Sequence, residues 1–353
     1  MNILERLTDV EKKYYEQIVD MKKKWGRQLL ILTHHYQRAE VVSLNDFVGD
    51  SLQLAKNAAD AQEAKYIVFC GVRFMAEAAE VLRRENQVVI HPDPMSGCPL
   101  ADYAPADQAE VAWEMITDIV GADELMPLVY MNSSAALKAM VGRNGGSVCT
   151  SSNTARAFQW AYKQRRVVFF LPDENLGRNT ALSLGISPEQ IVVWDPTAPK
   201  GGLTADEIKS AKVVLWSGYC HVHTNFTLQD IHASREKFPG CKIIVHPECP
   251  TELVDASDGS GSTAYIVKEA AQAPAGSTLV VGTEVNLVSR LAAQYPDKKI
   301  VALSRSLCPN MFRISLRKLR DSVLSLPNPD NVVSLPDGVK QEAILALDRM
   351  LTI

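Results

Sequence analysis

Several patterns that would assign a function directly are missing from this sequence. It has no stretch of 18 apolar residues, which excludes a membrane-spanning helix. It has no block of basic residues, and its net charge is only −4, so we expect no nucleic-acid partner. The first residues are charged and amphipathic and lack the apolar core of a signal peptide. We therefore expect a cytosolic protein that is not bound to a membrane.

The common nucleotide-binding motifs are missing as well. No Gly-x-Gly-x-x-Gly follows an apolar run, so we do not expect a dinucleotide ligand. The segment GSGST (259–263) has too few glycines for a P-loop and lacks its lysine. What is present is a chain of 353 residues, 46% hydrophobic and 22% charged, which is typical of a globular protein of two or three domains.

Cysteine is infrequent and forms no local metal-binding motif. The seven cysteines are an odd number, which favours thiols or metal ligands over a disulfide framework in a reducing compartment. Cys220 lies beside two histidines in SGYCHVH (217–223), with no Cys-x-x-Cys or His-x-x-x-His around it. If Cys220 binds a metal, its partners come from distant parts of the chain. We interpret Cys70, Cys149 and Cys241 as small buried residues and leave Cys249 open.

Runs rich in valine and isoleucine alternate with helical patterns from about residue 28 onward. Examples are KYIVFCG, VVFFLPD and TLVVGTE. Continuous apolar runs separated by helices are typical of buried parallel strands in βα units. The pattern therefore predicts an α/β protein.

The order of these features recurs three times along the chain. All βα chains resemble one another, but near-equal spacings favour a true repeat. In the first copy Gly71 and Cys98 are 27 positions apart, and in the third copy Gly282 and Cys308 are 26 positions apart. In the same way, 17 positions separate His34 from Ser51, and 16 separate His246 from Ser262.

The repeat predicts three similar Rossmann-like βα domains with parallel sheets. We expect them to be arranged with pseudo-threefold symmetry around a central cluster and active site. The predicted domains are residues 1–105, which include an N-terminal helix, 106–220 and 221–310. We expect residues 311–353 to pack back on the first domain.

Each copy ends in one cysteine, namely Cys98, Cys220 or Cys308. Ligands of parallel sheets collect at the carboxyl ends of the strands, so a threefold arrangement would bring these three thiolates together. They could bind zinc, with His221 or His223 as the fourth ligand. They could equally bind a four-iron cluster that keeps one iron free of protein thiolate, able to act as a Lewis acid. Spacing alone does not separate the two.

Polar residues follow the strands of each copy and are the candidates for chemistry. Imidazole, phenol and carboxylate groups at equivalent strand ends can transfer protons. Tyr130 and Asn132 end the corresponding middle strand and can donate hydrogen bonds to a developing oxyanion. The candidate proton-transfer residues are His34, Tyr36, His246 and Glu248.

Hydroxyl residues precede a helix in each copy: Ser51, Ser151 with Ser152, and Ser262 with Thr263. They could simply be N-caps that accept hydrogen bonds from free amides. Three helix N-termini directed at one centre would also attract carboxylates and phosphates. The substrate predicted from this pattern is small and anionic.

Together these segments resemble quinolinate synthase from about residue 28 to residue 325. The match consists of a dozen motifs in order: HHYQ, GDSLQLA, FCGVRFMAEAA, SGCPLAD, YMNSSAALKA, CTSSNTA, LPDENLG, GYCHVH, HPEC, GSTAYIV, GTEVNLV and LCPNM. The resemblance implies a three-domain α/β fold and a [4Fe-4S] cluster. It implies condensation of iminoaspartate with dihydroxyacetone phosphate, with loss of phosphate and two waters, to give quinolinate for NAD synthesis.

The resemblance also implies roles for individual residues. Cys98, Cys220 and Cys308 match the cluster ligands. Two departures stand out: His35 lies where family members commonly carry Asn or Tyr, and no Cys-x-x-Cys-x-x-Cys surrounds Cys308. Active-site positions are matched by His34, Tyr36, Ser51, Tyr130, Asn132, Ser151, His246, Glu248, Ser262 and Thr263.

The resemblance implies small-molecule substrates and functional coupling to an enzyme that oxidises L-aspartate. One alternative interpretation is a zinc-dependent lyase or hydrolase that acts on a small anionic substrate. It would use the same three thiolates with His223. Another is a metal-carrying scaffold, which would not need polar residues at three equivalent strand ends.

Overall fold

A computed structural model describes residues 3–353 of the chain. Within these residues the strands form three parallel sheets of four, five and four strands, with helices between successive strands. The prediction of an α/β protein with three parallel sheets is confirmed. No helix in the described part of the chain is long and apolar enough to cross a bilayer.

The first sheet has the strand order β2-β1-β3-β4. All residues of β1 and β3 are buried, which explains why their sequences are continuously apolar rather than alternating. The strands are β1 (Leu29–His34), β2 (Phe47–Gly49), β3 (Tyr66–Cys70) and β4 (Val88–Ile90). The helices of this region are α1 (Asp9–Trp25), α2 (Ala39–Val42), α3 (Ser51–Asp60), α4 (Arg73–Leu82) and α5 (Pro99–Asp102).

The second sheet has the order β6-β5-β7-β9-β8. Its strands are β5 (Leu125–Tyr130), β6 (Ser147–Cys149), β7 (Val167–Leu171), β8 (Ile191–Trp194) and β9 (Val213–Trp216). Its helices are α6 (Ala106–Val120), α7 (Ala135–Arg143), α8 (Thr154–Tyr162), α9 (Glu174–Ser183), α10 (Ala205–Ser210) and α11 (His221–Thr224). β8 and α10 form a βα unit that the first and third sheets lack, and β9 is the strand that leads to Cys220.

The third sheet has the order β11-β10-β12-β13. Without β8, all three sheets therefore share one strand order, which supports the repeat seen in the sequence. The strands are β10 (Lys242–Val245), β11 (Gly259–Ser260), β12 (Thr278–Gly282) and β13 (Lys299–Ala302). The remaining helices are α12 (Leu228–Lys237), α13 (Thr251–Ala256), α14 (Thr263–Gln272), α15 (Val285–Gln294), α16 (Leu316–Leu324) and α17 (Asp337–Thr352). Short 3-10 helices cover Ile3–Arg6, Gly26–Gln28, Pro188–Gln190, Pro199–Gly202 and Met311–Arg313.

The chain divides into two compact units. Unit 1 contains Met1–Cys98 and Val267–Leu335, and unit 2 contains Pro99–Ile266 and Pro336–Ile353. The core of unit 1 joins α1, β1, β3 and α16 through fully buried side chains such as Ile18. Burial of one such side chain contributes about 1.5–3 kcal/mol to stability. The division into three domains stays a prediction.

The two C-terminal helices, α16 and α17, pack in different units. Helix α16 packs on α1 in unit 1, whereas α17 packs on α7 and β6 in unit 2. Arg349 of α17 donates hydrogen bonds to the carbonyl oxygens of Gly142 (3.1 Å) and Gly146 (2.6 Å). The expectation that the whole of residues 311–353 packs on the first domain is therefore wrong for α17, because its partners lie at the end of α7.

Candidate active site and cysteine ligands

Polar residues lie where the strands end. β1 ends at His34 and β5 at Tyr130, and His246 directly follows β10. These three side chains are only 4%, 5% and 3% exposed. Buried polar groups are almost always hydrogen-bonded, so each has to be held by neighbours.

In unit 1 the segment after β1 is fixed by hydrogen bonds. The hydroxyl of Tyr36 lies 2.8 Å from Oγ1 of Thr283, which follows β12, and Asn286 donates to the carbonyl oxygen of Tyr36 at 3.1 Å. The N–H of Tyr36 donates to Nδ1 of His34 at 3.2 Å, and the two rings are perpendicular, 4.7 Å apart. Because Nδ1 of His34 accepts, the neutral ring carries its proton on Nε2.

His35, the residue that departs from the family pattern, is paired with Arg290 of α15. Nη2 of Arg290 lies 2.7 Å from Nδ1 of His35. Burial, assisted by the positive charge of Arg290, lowers the pKa of His35 to about 3. His35 is therefore neutral at physiological pH and accepts the hydrogen bond of the arginine.

In unit 2, Glu248 is the centre of a group of polar residues. Its Oε2 lies 2.5 Å from Nδ1 of His223 and 3.6 Å from Nδ1 of His246. Its Oε1 accepts a hydrogen bond from Nδ2 of Asn132 at 3.5 Å, and Tyr130 also hydrogen-bonds to the carboxylate. The two imidazole rings stack with 4.3 Å between their centroids. The structure therefore places three predicted residues of unit 2, Tyr130, Asn132 and His246, around the carboxylate of Glu248, together with His223.

The pKa values of Asp173 and Glu248, two buried carboxyl groups of this region, shift in opposite directions. Burial raises the pKa of Asp173 well above its ordinary value, and the neighbouring Glu248 raises it further. Burial also acts to raise the pKa of Glu248, but His223, His246 and a hydrogen bond from Tyr130 outweigh it and hold that pKa below its ordinary value. Close carboxyl groups avoid a shared negative charge, so the two shifts favour the ionised form of Glu248 and the protonated form of Asp173.

The loop that carries Asn132 is held by a buried lysine. Lys138 of α7 is fully buried, and its Nζ donates to the carbonyl oxygens of Met131 (2.8 Å) and Ser133 (2.5 Å) and to the Ser133 hydroxyl (3.1 Å). These acceptors flank Asn132 on both sides. An ammonium group is buried only when its donors are satisfied, so this contact fixes the loop.

The serine at the start of α3 is not the N-cap that the sequence suggested. Asp50 is the N-cap, and its carboxylate accepts a hydrogen bond from the N–H of Gln53 at 2.9 Å. Ser51 is the first residue inside the helix. Its hydroxyl is therefore not committed to the cap.

The other two helix starts differ from each other. Ser151 lies three residues before α8, whose N-cap is Asn153. Ser262 does act as a cap, because its hydroxyl accepts from the N–H of Tyr265 at 3.3 Å, and the adjacent Thr263 begins α14. The predicted substrate-binding role of these hydroxyls stays a prediction.

The cysteines fall into two classes by exposure. Cys98, Cys220 and Cys308 are partly exposed, and no cysteine of the described residues forms a disulfide. The other four are buried: Cys70, Cys149, Cys241 and Cys249. Burial raises the pKa of the thiols in this buried group, to about 12 for Cys70 and Cys149, which keeps them protonated and unsuited to bind metal.

The three partly exposed cysteines share a local contact. The contact involves the helix that follows β3, β7 or β12, namely α4, α9 or α15. The first residue of this helix donates its N–H to the carbonyl oxygen of the residue two positions before the cysteine. The bonds run from Arg73 to Ser96 (2.7 Å), from Glu174 to Gly218 (2.8 Å) and from Val285 to Ser306 (2.9 Å). The repeat predicted from sequence spacing is therefore also a repeat of hydrogen bonds.

Within unit 1 the loops of Cys98 and Cys308 are tied together. The hydroxyl of Ser96 donates to the carbonyl oxygen of Asn310 at 2.7 Å. The N–H of Cys308 donates to the carboxylate of Glu284, whose burial raises its pKa to about 7. Glu284 is also the N-cap of α15, where its side chain accepts a hydrogen bond from the N–H of Asn286.

Comparison with known proteins identifies the family. The sequence profile of the family described as quinolinate synthetase A protein matches residues 16–352. The chain belongs to the quinolinate synthetase A family. A protein of Corynebacterium glutamicum named quinolinate synthase is 48% identical over 343 residues, covering 96% of this chain and 87% of that protein. Proteins of the same name from Bacillus anthracis and Bacillus cereus are 47% and 46% identical over 367 residues, covering 99% of each chain.

Three residues near Glu248 were not chosen from the sequence as active-site residues. His223 entered only as a zinc ligand of the alternative interpretation, and Asp173 only as part of a motif. Lys138 likewise appeared only within the motif YMNSSAALKA. The signal available was position: Asp173 follows a central strand of its copy, as Glu284 does in the third.

Proposed function

We propose that this protein is a quinolinate synthase of NAD biosynthesis. It condenses iminoaspartate with dihydroxyacetone phosphate, with loss of phosphate and two waters. The observation that carries the proposal is the triplicated cysteine contact in a chain of the quinolinate synthetase A family. Because iminoaspartate is the oxidation product of aspartate, an L-aspartate-oxidising enzyme has to supply it. A cytosolic location is part of the proposal.

We propose Cys98, Cys220 and Cys308 as the ligands of a [4Fe-4S] cluster. Their chemistry fits this group, since they are the partly exposed thiols of the chain and occupy equivalent positions in three copies. When bound by three cysteines, such a cluster supplies one iron without a protein thiolate as a Lewis acid. All other steps are assigned to side chains.

Glu248 is proposed as the group that moves protons. It is ionised and buried, and its Oε2 is 2.5 Å from Nδ1 of His223. A carboxylate that is ionised and close to an imidazole can take a proton from carbon and pass it on. Burial and the proximity of His223 lower the pKa of His246 to about 3, so this ring acts as a neutral hydrogen-bonding group.

Tyr36, His34, Tyr130 and Asn132 are proposed to bind the substrates and assist loss of water. The Tyr36 hydroxyl is oriented by Thr283, and His34 presents Nε2–H as a donor. Tyr130 donates its O–H to the Glu248 carboxylate and orients it, whereas Asn132 has two amide N–H donors, one for Glu248 and one for an oxyanion. These roles require only hydrogen-bond donors held at fixed positions.

The hydroxyls at the helix starts are proposed to bind the phosphate and carboxylates. Ser51, Ser151, Ser262 and Thr263 lie at or near the first turns of α3, α8 and α14. Backbone N–H groups there attract anions, and hydroxyls add donors.

Anaerobic chemistry of the full chain tests the proposal. Iron and acid-labile sulfide are measured in the wild type and in the three single Cys→Ala variants, together with quinolinate formed from iminoaspartate and dihydroxyacetone phosphate. We expect about four irons and four sulfides per chain in the wild type, and loss of both metal and product in each variant. A Cys241→Ala variant is the control and should keep the cluster. Colourless protein with zinc, no sulfide and no pyridine product would favour the zinc-dependent lyase instead.

A further inference from the structure

We propose that Cys220, His223 and Glu248 form a second metal site, which binds one divalent ion such as Zn²⁺ when no cluster occupies Cys220. The three ligand atoms all lie within 4.8 Å of one another. The group lies entirely within unit 2 and includes neither of the other two cysteines proposed as cluster ligands. The ion site therefore needs a different set of residues from the cluster.

Local helix geometry brings the first two ligands together. Cys220 is the N-cap of α11, and His223 is the third residue of that helix. The N–H of His223 donates to the carbonyl oxygen of Cys220 at 3.0 Å, which closes the turn. Residues three positions apart on a helical turn lie on one face, so the thiol and the imidazole point to the same side.

The third ligand comes from the segment after β10. Oε2 of Glu248 lies 2.5 Å from Nδ1 of His223. An ion bonded at about 2.0–2.3 Å to sulfur, nitrogen and oxygen needs ligand atoms roughly 3–4 Å apart. Small side-chain rotations would therefore convert the present contact into coordination.

Neighbouring groups already orient the ligands. The ring of His223 stacks on that of His246 at an interplanar angle of 18°. The carboxylate of Glu248 is held by hydrogen bonds from Asn132 and Tyr130. Such outer contacts typically improve metal affinity by tenfold to a hundredfold.

The ligand types select the ion. A thiolate with an imidazole and a carboxylate suits Zn²⁺ and Co²⁺, whereas Mg²⁺ and Ca²⁺ prefer oxygen alone. Three protein ligands leave the fourth tetrahedral position to water. On binding, the thiol of Cys220 releases one proton to solvent and its sulfur forms a bond to the ion, and no oxidant or reductant is needed.

Occupation of this site would have a consequence for the proposed cofactor. A Cys220 thiolate bonded to zinc is not available to an iron of the cluster. Zinc would therefore block cluster assembly until it is removed. This consequence rests on the proposed function, whereas the ion site itself rests only on the three residues.

Cobalt titration of the cluster-free full-length chain tests the site. Tetrahedral Co²⁺ with a thiolate ligand gives strong visible d–d bands and a sulfur-to-metal charge-transfer band. We expect one equivalent to produce both in the wild type, with Zn²⁺ displacing the Co²⁺. The double variant C98S/C308S, which cannot bind a cluster, should give the same spectrum.

Substitution of any of the three ligands should change Co²⁺ binding, whereas substitution of the neighbouring His221 should not. H223Q and E248Q should each weaken Co²⁺ binding at least about tenfold, and C220S should abolish the charge-transfer band. H221A is the control and should bind as the wild type does, since His221 is not in the group of three. Circular dichroism verifies that each variant is folded. Bands that survive in H223Q and E248Q but vanish in C98S/C308S would overturn the site in favour of one built from thiolates, and so would the absence of stoichiometric binding to the folded wild type.

Competition is tested separately by reconstitution with iron and sulfide. Zinc-loaded wild type should incorporate little cluster until a chelator removes the zinc, whereas zinc-treated H223Q should incorporate it normally. Full cluster formation with zinc retained would disprove the competition. A wild type that binds Co²⁺ as expected but never forms a cluster would contradict the proposed function and leave the ion site standing.

Discussion

Nδ1 of His223 lies 2.5 Å from Oε2 of Glu248, and both side chains are almost completely buried. A contact this short between an imidazole and a carboxylate is a charge-assisted hydrogen bond, which is about twice as strong as a neutral one. The contact joins His223, three residues after Cys220 in the α11 turn, to the segment that follows β10.

Glu248→Gln removes the ionised carboxylate while preserving its shape. General acid–base catalysis typically contributes 10²–10⁴-fold, so we expect quinolinate formation to fall by at least about a hundredfold. Iron and sulfide content should be unchanged, because the residue is not a proposed cluster ligand. The measurement is product formation and the visible spectrum of the same anaerobic sample. Retention of full turnover would remove Glu248 from the mechanism.

From the lowered pKa of His35 we predict that the stability of the protein depends on pH. Its pKa is lowered in the folded protein to about 3, so the unfolded chain binds more protons between about pH 6.5 and pH 3. Its contribution to stability is fully present above pH 6.5 and is lost as the pH falls. We expect His35→Asn to reduce the acid-side slope of the unfolding free energy, by up to about 1.4 kcal/mol per pH unit. Urea melts from pH 7 to pH 4 measure it. The exposed His232→Asn is the control, and an unchanged slope in His35→Asn would refute the prediction.

From the raised pKa of Asp173 we predict the opposite trend, a contribution to stability that is lost as the pH rises. Its pKa is raised in the folded protein, so its stabilising contribution is present below about pH 3.9 and is lost as the pH rises towards the folded-state value. Asp173→Asn keeps an N-cap side chain and the neutral charge, so the variant should fold and lose less stability between pH 4 and pH 8. Thermal melts across this range provide the comparison, with the exposed Asp206→Asn as control. Parallel curves for Asp173→Asn and wild type would show that Asp173 is ionised.

Lys138→Met leaves the carbonyl oxygens of Met131 and Ser133 without their donor. An unsatisfied buried acceptor costs about 1–3 kcal/mol, so we expect a loss of at least about 2 kcal/mol in unfolding free energy. Turnover should also fall, because the Asn132 loop loses its support. Urea denaturation and steady-state kinetics give the two values. Lys163→Met, an exposed lysine at the end of α8, should change neither. Wild-type stability in Lys138→Met would mean that the loop holds its shape unaided.

The packing of α17 on α7 predicts an effect at Gly142. A Cβ atom there would overlap the carbonyl oxygen of Glu342, so a side chain at this position forces the helices apart. Overpacking of this kind costs about 1–3 kcal/mol, and we expect Gly142→Val to lower the unfolding free energy by about that amount. Gly338→Ala in the first turn of α17 meets no atom within 4 Å and should be neutral or slightly stabilising. Equal stability of wild type and Gly142→Val would contradict the close approach of the two helices.

The features that depend on local pattern could be predicted from the amino-acid sequence. Buried parallel strands require continuous apolar runs, so β1, β3 and β7 could be recognised from valine and isoleucine content. The repeat of glycine and cysteine spacings identified the three cysteines that differ from the rest in exposure. The same pattern identified three polar residues, His34, Tyr130 and His246, because each comes at the end of an apolar run and therefore at the end of a strand.

Features that depend on contacts between distant residues became visible only in the folded chain. His223 and Glu248 meet only because the turn of α11 and the segment after β10 pack together, and neither local sequence encodes that distance. Asp50 rather than Ser51 caps α3, since both are suitable caps and the backbone path selects one. The position of α17 also depends on a distant contact. It packs closely on α7 because Gly142 has no side chain at the point where the two helices meet.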